Sequence, residues 1–252
     1  MRIYLVDDYE KMSKKAATIV ASQMRIKPDS VLGLATGSTP EGMYKELVKM
    51  HKKEDLDFSE IKTFNLDEYY GLPKDNRESY YFYMMNNLFN HINIKKGNIN
   101  IPNGMEEDIK AECIRYEEEI EKAGGIDLQV LGIGRNGHIG FNEPNLKFEA
   151  LTHLVKLDED TITANSRFFD SLDEVPTKAI SMGIKTIMHS RKILLLANGK
   201  EKALAIKKAL EGPIKPEVPA SILQLHIDVT VIIDKEASKE LNLEDHPKLK
   251  WS

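Results

Sequence analysis

The chain predicts an α/β fold: a single domain built on an open, mostly parallel, doubly wound sheet of about seven strands, with helices on both faces. Three observations lead there. Short runs rich in Val, Ile and Leu alternate with longer stretches of helical period. Three of the loops that follow such runs carry glycine, hydroxyl or carboxylate side chains. The sequence also holds no repeat, no low-complexity tract and no Pro/Gly/Ser linker at which to divide it.

Taken in order, residues 3–6 read as a first strand, and 9–24 follow with Met12, Ala16, Ile19, Val20 and Met24 at helical spacing. Residues 31–35 are the second strand and 41–51 a helix with Met43, Tyr44, Leu47 and Val48 on one face. Residues 61–66 are the third strand. The tyrosine- and methionine-rich helix over 78–91 reads as core packing, 98–104 as a connector, and 106–123 as an acidic amphipathic helix closed by Gly124 and Gly125. The apolar run 126–131 is a buried strand. Residues 145–156 lack a period and are expected to cross the surface. A helix start at 158–161 continues into 164–169, and a mobile lid is expected over about 157–180. Strands at 179–183, 191–197 and 229–233, with helices at 184–189, 200–210 and 220–225, complete the pattern. Residues 241–252 read as a loosely held polar tail.

Composition excludes several classes. The 252 residues, 41% hydrophobic and 30% charged, suit a globular protein with a substantial core. A net charge of −5 with both signs interspersed offers no footprint for nucleic acid. No segment approaches the roughly 18 apolar residues of a membrane span, and the N-terminal run is too short for a signal peptide. A cytoplasmic location is therefore expected. Cys113 is the single cysteine, so no intrachain disulfide forms, and it reads as a packed or surface thiol. The seven histidines are scattered without a metal-binding spacing, so no metal is expected.

The three loops carry the chemistry. Thr36-Gly37-Ser38-Thr39-Pro40 lies between a strand and a helix, where backbone N–H groups and the helix dipole favour an anion such as phosphate. The alternative is an ordinary helix capped by Ser or Thr. No Lys follows the glycine in the frame of a nucleotide-binding P-loop. Asp67-Glu68 ends the third strand, and its two carboxylates are expected to point to different sides, one into a cleft as a base and the other toward solvent or a helix dipole. Residues 132–144, Gly-Ile-Gly-Arg-Asn-Gly-His-Ile-Gly-Phe-Asn-Glu-Pro, are too irregular for helix or strand. Within them, His138 and Glu143 are the side chains able to exchange protons near neutral pH. Taken alone, that loop reads equally as a tight structural turn. In a parallel sheet, however, all three loops fall on one edge and share a crevice.

These residues resemble the glucosamine-6-phosphate deaminase family over nearly the whole chain. The shared segments are 34–40, 64–69, 132–144, Ala164-Asn-Ser-Arg-Phe-Phe169 and Lys202-Ala-Leu-Ala205, of which Gly-His-Ile-x-Phe-Asn-Glu-Pro is the most specific. The resemblance implies conversion of glucosamine 6-phosphate and water to fructose 6-phosphate and ammonia, without metal or organic cofactor. It also implies roles. His138 opens the sugar ring with support from Glu143 and Asn136, and Asp67 moves a proton between two sugar carbons. Thr36, Gly37, Ser38 and Thr39 hold the substrate phosphate, helped by Arg167 and Lys202.

Two departures bear on regulation and tuning. Asn136 stands where the best-known members have aspartate, and its carbonyl oxygen is expected to accept the imidazole N–H without supplying negative charge. Allosteric members bind N-acetylglucosamine 6-phosphate just past the Glu-Pro through basic residues and serines. The aligned positions here hold Leu146, Lys147, His153 and Val155, which implies no effector site and a monomer or small homo-oligomer. Two rival readings, a 6-phosphogluconolactonase-type hydrolase and a non-catalytic sugar-phosphate sensor, share the fold. Ammonia release separates the first from a deaminase, and the retention of both Asp67 and His138 argues against the second.

Overall fold

The computed structural model describes residues 1–166, 169, 171, 174–242 and 249–251. Its large sheet is parallel throughout, and the strands lie in the order β11 (Leu249–Trp251), β1 (Arg2–Val6), β10 (Val229–Asp234), β9 (Ile193–Ala197), β6 (Leu128–Leu131), β2 (Val31–Leu34), β3 (Lys62–Asn65) and β5 (Ile99–Asn100). Strands buried on both sides alternate their side chains between two cores. Ile193, Leu195 and Ala197 face α4 (Ile109–Lys122) and α7 (Ala203–Leu210), which contribute Tyr116, Ile120, Ile206 and Ala209. Leu194 and Leu196 face α1 (Tyr9–Ile26), α2 (Ser38–Glu54) and α3 (Tyr80–Asn87) through Met12, Val20, Met43, Leu47 and Met84. The sheet is doubly wound, as the alternating pattern predicts.

Membership of the sheet differs from expectation at its margins. The strand expected at 179–183 instead belongs to a second, antiparallel sheet of β4 (Asp67–Tyr69), β8 (Lys178–Ser181) and β7 (His153–Lys156). β7 falls in the segment expected to be structureless. Its residues are half-buried or exposed, so no apolar period marks it. The two-residue β5 and the terminal β11 occupy the outer edges of the large sheet. Of the expected tail, residues 249–251 pair there in register with Ile3, Tyr4 and Leu5. Backbone hydrogen bonds supply this edge pairing with no hydrophobic alternation to announce it.

One topological feature creates the site. The chain leaves β2 toward β3 on one side, but leaves β6 toward β9 on the other, although β2 and β6 are neighbours. Loops that diverge at such a switch point open a crevice at the carboxyl ends of the strands. The two sheets join beside it at Leu66. Its N–H donates to the Leu34 carbonyl in the large sheet at 2.9 Å, and its own carbonyl accepts from Met182 N–H at 2.8 Å.

Candidate active site

The crevice has a volume of about 570 Å³. It gathers Thr36, Gly37, Ser38, Thr39, Asp67, Asn136, His138 and Lys202 from loops following β2, β3, β6 and β9. Glu143 stands just behind His138. Of the expected site residues, Arg167 alone lies outside the described residues.

The bend at Leu66 separates the two adjacent carboxylates. Residue 67 begins β4 opposite Ser181, and alternation along an extended strand sends Glu68 to the other side. Glu68 is buried and accepts the backbone N–H groups of Tyr69 (2.9 Å), Tyr80 (2.8 Å) and Tyr81 (2.8 Å), which places it on the N-terminus of α3. Burial pushes its carboxyl up to about 7, against the pull of those three donors. Asp67 is 6% exposed and reaches the crevice, and among the described residues no donor lies within hydrogen-bond distance of its carboxylate. Burial, then the neighbouring Glu68, pushes it up to about 8. A carboxyl poised near neutrality and without a protein partner is suited to taking a proton from a ligand. Gly140 beside it takes φ of 57°, a backbone conformation that favours glycine.

The 132–144 loop is folded around His138. Gly134 N–H donates to the His138 carbonyl at 2.9 Å, and Gly137 N–H donates to the Gly134 carbonyl at 3.0 Å. The imidazole lies flat against Gly134, where a Cβ would fall 2.3–2.5 Å from three ring atoms. Nδ1 is 3.1 Å from Glu143 Oε2, which leaves Nε2 as the ring nitrogen not engaged by the carboxylate. Burial opposes charge on Glu143, yet the donors His138, Thr161 and Asn136 outweigh it and hold the carboxyl below its ordinary range. The expected role of Asn136 needs correction. Its Nδ2 donates to Glu143 Oε2 at 2.8 Å, while its carbonyl oxygen accepts the backbone N–H of His138 at 3.2 Å. A carboxylate only accepts, so the amide nitrogen must face it. Asn136 therefore steadies the histidine's partner and not the ring itself.

At the other end of the crevice, Gly37 is the N-cap of α2, with φ of 89° and no side-chain capping bond, so the Ser/Thr cap considered above is not formed. Three tyrosines hold this turn. Tyr83 Oη donates to the Gly37 carbonyl at 2.7 Å, Tyr9 Oη to the Ser38 carbonyl at 2.8 Å, and Tyr44 Oη to the Ala35 carbonyl at 2.5 Å. Asp234 accepts the Gly199 N–H at 3.0 Å and anchors the segment bearing Lys202. A helix N-terminus facing a nearby cation offers an anion both N–H groups and charge.

Two participants escape sequence reasoning. Tyr80 reads as core packing, yet it lines the crevice, stacks on Phe141 at 5.9 Å and bonds to Thr36. Thr161 carries no motif, yet its Oγ1 donates to Glu143 Oε1 at 2.6 Å. Cys113 is buried, and its thiol is pushed up to about 11 by that burial and by Glu112, which makes it unreactive. Among the described residues no three His, Cys, Asp or Glu side chains gather as a metal site, and no helix is long and apolar enough to cross a membrane.

A model of the glucosamine-6-phosphate isomerases/6-phosphogluconolactonase family matches residues 7–232. The chain belongs to that family. Its match to the isomerase/6-phosphogluconolactonase family spans every loop of the crevice. Among curated relatives, a glucosamine-6-phosphate deaminase of Clostridium botulinum (strain Loch Maree / Type A3) is 68% identical, covering 96% of this chain and 100% of the relative. One from Clostridium acetobutylicum is 65% identical with the same coverage. The solved structure of a monomeric glucosamine-6-phosphate deaminase superposes with a TM-score of 0.94 at 52% identity, covering 96% of this chain and 100% of that one. A 6-phosphogluconolactonase from Thermotoga maritima, at 22% identity and a TM-score of 0.72, shares the fold over 93% of this chain. The two halves of the family name thus lie at very different distances from this sequence.

Proposed function

We propose that the chain is a glucosamine-6-phosphate deaminase of amino-sugar metabolism, converting glucosamine 6-phosphate and water to fructose 6-phosphate and ammonia. The observation that carries this reading is the pairing, on one crevice, of a carboxylate-backed imidazole with a second buried carboxylate that has no hydrogen-bond partner among the described residues. Relatives named for this activity at 65–68% identity over 96% of the chain support it.

Each group has work suited to its chemistry. His138, through Nε2, exchanges protons between the anomeric hydroxyl and the ring oxygen to open the pyranose, and Glu143 stabilises the imidazolium formed on the way. Asp67 removes the proton at C2 and returns one at C1 through a cis-enolamine, so one base serves both carbons. Water then adds to the resulting ketimine and ammonia leaves, which balances the reaction. The substrate's ammonium beside Asp67 favours the ionised carboxylate, since an opposite charge within a few ångströms lowers a carboxyl's pKa. The N-terminus of α2, with Thr36, Gly37, Ser38 and Thr39, and with Lys202 and Arg167, grips the phosphate. That remote handle sets the reacting carbons in place.

We also infer hyperbolic kinetics without activation by N-acetylglucosamine 6-phosphate. Leu146 is 90% exposed, and the nearby hollow presents Val155 beside Lys147 and His153. A monomer or small homo-oligomer acting in the cytoplasm fits the monomeric relative and the single buried thiol. The decisive experiment incubates pure protein with glucosamine 6-phosphate and measures ammonia and fructose 6-phosphate together. Equal amounts support the assignment, and the absence of both refutes it. Hydrolysis of 6-phosphogluconolactone without ammonia release would point to the other activity in the family name.

A further inference from the structure

We propose that Thr161 is a positioning residue for ring opening: its hydroxyl fixes the rotation of the Glu143 carboxylate and, through it, the orientation of His138. This rests on the function proposed above. The two oxygens of Glu143 are divided. Oε2 serves His138 Nδ1 at 3.1 Å and Asn136 Nδ2 at 2.8 Å, whereas Oε1 is engaged by Thr161 Oγ1 at 2.6 Å. The terminal torsion of a glutamate is broad and two-fold, so donors on one oxygen alone leave the carboxylate plane weakly determined. A donor on the second oxygen determines it. At 5% exposed, Thr161 makes a short bond that is screened from water, where it is strengthened.

The hydroxyl is delivered by α5 (Glu159–Asn165), which belongs to the small sheet's connections and not to the 132–144 loop. Leu157 and Ile162 flank Thr161 and pack with Tyr69 and Phe141, and Phe141 lies two residues before Glu143. The helix therefore reaches the histidine pair twice, by packing under the loop and by the hydroxyl. If α5 withdraws, one carboxylate oxygen loses its donor and the imidazole loses a fixed partner. Seating of the segment over the crevice and readiness of the ring-opening base become one event. His138 is the titratable group in contact with Glu143, while Lys147, Glu149, His153, Lys156 and Asp158 line the hollow behind it.

The test compares Thr161→Val, which keeps shape and removes the donor, with Thr161→Ser, which keeps the donor. Small misplacements in an active site cost on the order of 10²-fold. Thr161→Val is expected to lower kcat for glucosamine 6-phosphate about 10- to 100-fold, with KM within about threefold. Its binding of an acyclic amino-alditol 6-phosphate, which has no ring to open, should stay within about threefold of the parent. The acidic limb of its kcat profile moves to higher pH, because Glu143 has lost a donor favouring its ionised form. Thr161→Ser restores turnover and the limb. Parent-like turnover in Thr161→Val overturns the proposal, as does an equal loss of turnover and acyclic binding, which would mark a structural role only. If the parent protein releases no ammonia, the functional reading fails by itself. His138 titration followed by NMR then decides the link: an unchanged titration in Thr161→Val overturns it, and a shift reversed by Thr161→Ser sustains it.

Discussion

Glu143 Oε2 lies 3.1 Å from His138 Nδ1, and only 10% of the Glu143 side chain is exposed to solvent. In the proposed mechanism the pair is a base with a charged support behind it, and the support can be removed without altering shape. In Glu143→Gln the amide oxygen can still accept from His138 and Asn136, and the Thr161 hydroxyl can turn to accept from the new N–H. The charge alone is lost. General acid–base catalysis is worth about 10²–10⁴-fold, so kcat should fall by about 10²–10³ with KM nearly unchanged. Steady-state kinetics with an unchanged circular dichroism spectrum would check this.

Asp67 couples activity to stability with a definite sign. Its carboxyl is pushed from 3.8 up to about 8 by burial. A raised carboxyl pKa contributes stability fully below about pH 4, and that contribution is lost as pH rises through about 8. At about 1.4 kcal/mol per pH unit the ceiling is about 6 kcal/mol, and water in the open crevice reduces the real figure. Asp67→Asn, never ionised, should therefore gain stability over the parent increasingly between pH 4 and 8. It should lose turnover and keep phosphate-dependent binding. Denaturant titrations at pH 5 and pH 8 provide the comparison, and equal differences at both would contradict the account. The proposed proton-transfer base thus sits at a site the fold would hold more comfortably with a neutral side chain.

What the sequence disclosed follows from how strongly each element is marked. The central strands are legible because both faces are buried, so β9 is an unbroken apolar run and β10 is interrupted only by Thr230 before its terminal Asp234. The 132–144 loop is legible because glycines, His138 and Glu143 crowd one strand end. Geometry adds what spacing leaves open. The residues alone called for one of the adjacent carboxylates to enter a cleft; the bend at Leu66 and the N-terminus of α3 assign the cleft to Asp67 and the helix to Glu68. The small sheet was hidden because its strands are three or four residues long and its strand at 178–181 looked like another parallel member. Thr161 was hidden because a hydroxyl donor to a residue 18 positions away leaves no local pattern.

Asn136→Asp tests the corrected arrangement of that side chain. The substitution replaces an N–H facing Glu143 Oε2 at 2.8 Å with a second carboxylate oxygen. Two carboxylates that close cannot both ionise freely, and the pair must hold a proton or move apart. Holding the proton raises the pH needed to ionise the support of His138, and the added negative charge favours the imidazolium whether or not the two separate. The acidic limb of kcat/KM should therefore move up by about one pH unit or more. A limb that stays put would reject the observed geometry.

Gly134→Ala separates the placement of the imidazole from the integrity of the fold. The added Cβ would lie 2.3 Å from His138 Cε1, 2.4 Å from Nδ1 and 2.5 Å from Nε2, so the ring must leave its seat. No positive φ is required at residue 134, so the backbone itself tolerates alanine. His138 keeps 20% of its side chain exposed on the crevice, which gives the displaced ring somewhere to go without unpacking the core. Displacement breaks the 3.1 Å contact with Glu143. A misplaced base costs about 10²-fold or more, while overpacking at a half-open position costs about 1 kcal/mol. The variant should fold, bind the acyclic amino-alditol phosphate and turn over glucosamine 6-phosphate at least 10²-fold more slowly. Parent-like turnover would mean that the imidazole acts from a position other than the one held against Gly134.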